Sequence, residues 1–247
     1  MKFTQFFSTS SHKAALANQY GWLDAINYMA PHDLSGTNLC PWSTAGCRSL
    51  CLGHYSGQAG MVSDVETGTN KVRQSRVRKA RYFMDQRAEY MAEMVHHIRR
   101  LERQATRKDM RLVIRPNGST DIPYERIRVG DHRSIMHAFP HLQFVDYTKS
   151  VDRMFRDRPA NYHLVYSVNE ETEDADLSRI LDAGMQAAAV FAVRKNQPMP
   201  HTYKGHPVVD GDVHDLIHLQ PAGTILGLRP KGRKAWADQT GFIIREF

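Results

Sequence analysis

Beyond Lys108 the chain settles into short apolar runs separated by polar or helix-compatible segments, and this rhythm constrains the fold more than any other feature. The runs occupy 111–115, 143–147, 163–168, 187–193, 207–209, 224–228 and 242–245. Between the first four lie 132–138, 151–156 and 175–183, which suit crossover helices. Neighbouring strands that run the same way need such crossovers, because a tight turn brings the chain back antiparallel. The rhythm therefore predicts an α/β fold: a parallel (β/α) barrel, partial or complete, with an N-terminal helical and cysteine-loop extension. One barrel accommodates all 247 residues as a single domain over 1–247. Within it, 1–108 is the helical region with the cysteine loop and 109–247 the strand-helix repeats.

The first region reads as helix on both sides of a loop. Residues 11–29 place Ala14, Leu16, Leu23, Ile26 and Met29 on a loose apolar face, with Gly21 as a weak point. Residues 71–107 predict one long helical region, since Val77, Ala80, Met84, Ala88, Met91, Val95, Ile98 and Ala105 recur at three- and four-residue steps. Charge concentrates there. The chain carries +7, yet 71–108 holds twelve Lys and Arg against four Asp and Glu, so the remainder is close to neutral. Such a basic helix (71–108) is either a solvated outer face or a surface that tracks nucleic-acid phosphates, and aromatic residues are not interleaved through it as a base-stacking strip would need. No apolar run approaches the roughly 18 residues of a membrane span. The start of the chain also lacks a long apolar signal core, so the expectation is a cytoplasmic protein with no membrane segment.

The chemistry is signalled by cysteine. Cys40, Cys47 and Cys51 are the only three, and they fall within one loop rich in Gly, Ser and Thr. An odd number this close in sequence makes a poor disulfide frame but can converge on a metal. Three thiolates suit a four-iron four-sulfur (4Fe-4S) cluster, with one iron left open to a small-molecule ligand. Zinc is the alternative, with His54 completing a C-x6-C-x3-C-x2-H site; unmetallated buried thiols are the third reading. Around the cysteines Pro41, Trp42, Leu50 and Leu52 supply an apolar wall. The C-x3-C-x2-C spacing of radical S-adenosylmethionine enzymes is absent.

Each strand exit carries a polar or charged group: Asn117, Ser119 and Asp121 after the first, Lys149 after the second, Ser167 at the third, Arg194 after the fourth and Asp210 at the fifth. Any one of these could simply cap the next helix. In a parallel barrel, however, such exits converge on one rim where ligands bind. Asn117, Ser119, Ser167, Arg194 and Asp210 are thus the candidate ligand-binding residues, and Asp121 with Lys149 the candidate acid-base pair. His214 and His218, with Asp210, Asp212 and Asp215 nearby, form a candidate second metal site.

The motifs Cys40-Pro41-Trp42, Cys47, Cys51-Leu52-Gly53, Arg115-Pro116-Asn117-Gly118-Ser119-Thr120-Asp121, Asp146-Tyr147-Thr148-Lys149, Asn161-Tyr162-His163-Leu164 and Gly227-Leu228-Arg229-Pro230-Lys231-Gly232 occur in that order. Together they resemble the phage and plasmid family called gene product eighty-eight, over roughly 30–247. The resemblance implies a phage or mobile-element origin, hence the cytoplasm of a host cell, and supplies no reaction. In architecture alone the chain is similar to radical S-adenosylmethionine enzymes. Two functions follow as expectations. One is an iron-sulfur protein, a lyase or redox enzyme in class, that binds or transforms a small molecule at the open iron. The other is a nucleic-acid-binding replication accessory protein with a structural zinc.

Overall fold

The computed structural model describes residues 3–10 and 12–247. Helix α1 (His12–Gln19) leads through Gly21, at φ +74°, into strand β1 (Trp22–Ile26). The expected helix over 11–29 is therefore a helix followed by a strand, and Ser11 itself lies outside the described residues. A left-handed glycine ends a helix readily. After it, Leu23 and Ala25 point to one face of the sheet while Trp22 turns to the other, a period of two that the Leu16, Leu23 and Ile26 spacing conceals. The first hundred residues thus supply a strand to the sheet as well as helices.

The cysteine loop contains two short helices, α2 (Ala45–Ser49) and α3 (Leu52–Tyr55). The long basic region is two helices, α4 (Lys71–Asp85) and α5 (Arg87–Arg107), rather than one. They are broken at Gln86, whose φ of −139° and ψ of 59° are not helical. Phe83 and Tyr82 pack their rings on Tyr90 at 5.2 and 5.7 Å, so the break folds α4 onto the start of α5.

The repeats then run β2 (Arg111–Arg115), α6 (Ile135–Ala138), β3 (Gln143–Thr148), α7 (Val151–Phe155), β4 (Tyr162–Ser167), α8 (Asp174–Asp182), β5 (Ala187–Phe191), β6 (Thr202–Tyr203), β7 (His206–Asp210), β8 (Ile225–Leu228), α9 (Arg233–Trp236) and β9 (Ile243–Ile244). They build a mostly parallel nine-strand sheet in the order β1-β2-β3-β4-β5-β8-β7-β6, in which the β6-β7 hairpin is antiparallel. Strand β9 stands off this path. Since β8 occupies one edge of β5 along Ala187 to Val190, β4 and β9 share the other: β4 pairs at Ala187 and Ala188, β9 at Val190 and Phe191. The sheet thus splits between the carboxyl ends of β4 and β5, and β9 fills the gap.

Two apolar layers sandwich this sheet. Leu112, Ile114, Phe144, Leu164, Ala189 and Phe191 face the larger core, with Met91, Met94 and Ile98 of α5 and Leu177 and Ile180 of α8. On the opposite face Val113, Val145, Val165, Ala188 and Leu226 meet Ala17 of α1 and Leu216 and Ile217. Among the described residues no helix is long and apolar enough to cross a membrane.

Candidate functional site

The cysteine loop lies over the carboxyl ends of the strands, and backbone and carboxylate contacts fasten it there. Asp121 N–H, in the loop after β2, donates to the Leu39 carbonyl at 3.0 Å. Beyond β4, Glu170 accepts from Gly46 N–H at 2.6 Å and from the Thr44 hydroxyl at 2.8 Å. Thr44 in turn N-caps α2 by accepting from Cys47 N–H at 3.2 Å. Approach is close enough that a Cβ on Gly46 would stand 2.8 Å from the Glu170 carboxylate, and one on Gly53 2.5 Å from the Ser119 Cβ. Trp42 lies 5.4 Å from the Arg153 guanidinium, a cation-π contact between the loop and α7.

The thiols gather around Lys149. Its ammonium donates to Ser167 Oγ at 3.0 Å and comes within hydrogen-bonding reach of the Cys47 sulfur. Burial alone would lower Lys149, but Cys47, then Asp121 and Cys40, outweigh it and raise its pKa. Cys40 Sγ accepts the His32 N–H at 3.3 Å, and Cys51 accepts a backbone bond from Gly53. Burial pushes the Cys40 thiol up to about 12 and the Cys51 thiol up to about 11, each raised further by its neighbouring thiols. Left to themselves these groups stay protonated at neutral pH, whereas bound metal strips the proton.

Beneath the loop lies a buried polar network. Arg153 of α7 donates to Asp121 Oδ1 at 2.5 Å, to both Glu125 oxygens at 3.0 and 2.9 Å, and to the Tyr162 hydroxyl at 3.2 Å. Burial disfavours its charge, but Tyr162, Asp121 and Glu125 reverse that and raise its pKa. Asp121 Oδ2 accepts from the Lys149 N–H at 3.0 Å and the Thr148 hydroxyl at 3.1 Å, so both its oxygens are held by the protein. Asn117 donates to Asp146 through its backbone and side chain, at 2.8 and 2.9 Å, while its own oxygen accepts from Thr120 and Ile122. Ser119 Oγ donates to the Met29 carbonyl at 2.6 Å, tying the β1 exit to the β2 exit.

Among the expected ligand-binding residues, then, Ser167 stands beside the thiols through Lys149, and Asn117 and Ser119 build the loops under them. Arg194 and Asp210 are not part of this group. Arg194 is exposed, and Asp210 forms an ion pair with Arg229, whose Nη1 is 2.9 Å from both carboxylate oxygens. His54 packs edge-on against Tyr55, and burial with Arg73 nearby pushes it down to about 4. Among the described residues no three His, Cys, Asp or Glu side chains are gathered tightly enough to hold a single metal ion, and this includes His214 and His218. The sequence reading overlooked Arg153 and Glu170 as fasteners. Glu170 sits three residues beyond Ser167 in a strand exit already singled out, whereas no motif marks Arg153.

Asp146 yields a test by titration. Burial raises its carboxyl to about 7 against the pull of Arg115, the Asn117 donors and Arg153. A folded pKa above the unfolded value means that the native state holds the extra proton between about pH 4 and 7, so stability falls as pH rises through that window. Relative to Asp146→Asn, the parent should lose roughly 1.4 kcal/mol per pH unit across part of it. Urea unfolding of both proteins at several pH values measures the difference, and a pH-independent offset between them would place the carboxyl below the window.

A family model described as Gene product 88 matches residues 3–246. No curated protein and no solved structure matches the chain, so the likeness to radical S-adenosylmethionine enzymes gains no support. The match runs through the strands, the cysteine loop and the network beneath it, and the chain belongs to the Gene product 88 family.

Proposed function

We propose that this is an iron-sulfur protein in which Cys40, Cys47 and Cys51 hold a four-iron four-sulfur cluster at the carboxyl end of a partial parallel barrel, where a small molecule is bound or transformed. The observation that carries this reading is that all three thiols lie near enough to the half-buried Lys149 ammonium to interact with its charge, Cys47 within hydrogen-bonding reach. Three thiolates suit a cluster, which leaves its fourth iron open, better than structural zinc, which takes four closed ligands. Bound through three thiolates, such a cluster offers an open iron that serves as Lewis acid or electron donor. Lys149 offsets the negative charge that deprotonated thiols bring into a buried site. The His32 and Gly53 N–H groups stabilise thiolate sulfur by hydrogen bonding, as outer-shell donors do at metal centres. Asp121 acts as a positioning residue: it fixes the Lys149 backbone, and Arg153 fixes it.

Anaerobic purification followed by an absorption spectrum and by iron, sulfide and zinc analysis tests the proposal. The expected protein is brown, with broad visible absorption from charge transfer between sulfur and iron. Ser at Cys40, Cys47 or Cys51 abolishes the colour, while His54→Ala keeps it. A colourless protein that holds one zinc and loses it in His54→Ala would overturn the cluster in favour of a zinc site.

A further inference from the structure

Beside the cysteine loop, a cavity of about 510 Å³ opens between α4 and the chain around 30–34, 53–54 and 66–69. Ala30, Pro31, Leu34 and Val77 give it an apolar floor, and its rim is made of arginine from α4. Arg73 is built into the wall, with its guanidinium bonded to the carbonyls of Ala59, Gly68, His54 and Val65. Arg76, Arg78 and Arg81 are different. Arg76 donates to the Gly53 carbonyl and lies over the Tyr28 ring at 4.7 Å, while its Nε is sealed from solvent with no acceptor. Arg78 is exposed, and Arg81 donates only Nε, to the Ser35 carbonyl at 3.3 Å. Among the described residues no carboxylate pairs with any of the three. The one carboxylate in the lining, Glu66, is already held by Lys234 at 2.5 Å and Tyr55 at 3.0 Å.

Three guanidinium groups around one concavity repel one another unless an anion sits among them. A planar guanidinium matches phosphate oxygens in pairs, and several together select a ligand with more than one negative charge. Size narrows the class further. Small-molecule pockets run about 300–1,000 Å³, whereas a nucleic-acid duplex lies on a surface rather than entering such a cavity. We infer that this cavity binds an organic polyphosphate of nucleotide size, its phosphates on Arg76, Arg78 and Arg81 and its less polar end over Leu34 and Val77. This inference does not rest on the metal reading, since Arg78 and Arg81, the groups changed in its test, make no hydrogen bond to a thiol.

Isothermal titration of the purified protein with ATP and with inorganic pyrophosphate tests it. ATP should bind, and Arg78→Gln with Arg81→Gln should weaken it about tenfold or more, the loss of charge-assisted bonds from two groups. Arg78→Lys with Arg81→Lys should fall between, because charge remains but the fork does not. Changing Arg99, Arg100 and Arg103 of α5 together to Gln should leave ATP affinity within about twofold, since exposed charges beyond a Debye length of about 8 Å are screened. A single-stranded oligonucleotide should fail to displace ATP. Three results would each overturn the inference: no heat from either ligand at millimolar concentration, equal loss in the α4 and α5 variants, or displacement of ATP by the oligonucleotide with steep salt dependence, which would assign the basic helices to nucleic acid.

Discussion

Replacing Arg153 by Ala should lower folding stability by about 3–5 kcal/mol, the range for removing one partner from a buried ion pair. The guanidinium is almost fully buried, and Asp121 and Glu125 both pair with it from the segment between β2 and α6. Without it two carboxylates remain in a site with little water, and the Tyr162 hydroxyl loses its donor. Arg153→Lys should recover less than half of the loss, because one ammonium cannot serve Asp121, both Glu125 oxygens and Tyr162 together. Chemical denaturation gives the stability term. Thiol labelling gives the functional one: Asp121 anchors both Leu39 and Lys149, so Cys40 and Cys51 should react faster in the Ala variant. A loss under about 1 kcal/mol, as for an exposed pair, would mean that water reaches this network.

Arg73→Ala should be nearly as damaging, but locally. A single buried guanidinium supplies four of the hydrogen bonds that keep residues 54–68 in place, at 2.6 to 3.0 Å. Each carbonyl left buried without a donor costs about 1–3 kcal/mol, and the segment lowers that cost by opening to water. A net loss of about 2–4 kcal/mol is expected, accompanied by rapid proteolytic cleavage within 54–68 while the sheet stays intact. Cleavage at the parental rate would show that other contacts hold the segment.

These two arginines mark where reading the sequence stops. The strand rhythm is visible because apolar runs and breaks are local: the 111–115 run coincides with β2, and 143–147 falls one residue short of the end of β3. Strand β1 is not visible, since five residues that include a buried Asp24 offer too little alternation against the helical spacing around them. Basic composition was equally ambiguous. Arg73 and Lys79 count toward the charge of a solvated or phosphate-binding helix, yet both are buried, and Lys79 donates to the Phe6 carbonyl and to Asn27. Direction on a helix that is buried on more than one side depends on tertiary packing, which composition does not record. The clustering of cysteine was legible at once; that Lys149 would join it depends on the register of β3 against β4.

The pairing of β1 with β2 sets an order of events. Trp22 lies beside Arg111, so the whole cysteine loop and both basic helices must be synthesised before this edge of the sheet can close. Strands β3 and β4 meet across a much shorter stretch, Phe144 with Tyr162, and closing a short loop costs less entropy than closing a long one. The nascent chain therefore carries its three thiols for some time with neither Lys149 nor Ser167 in place to receive them. During that interval the cysteines are ordinary accessible thiols, open to oxidation, and Cys40 is covered only when the later strands arrive.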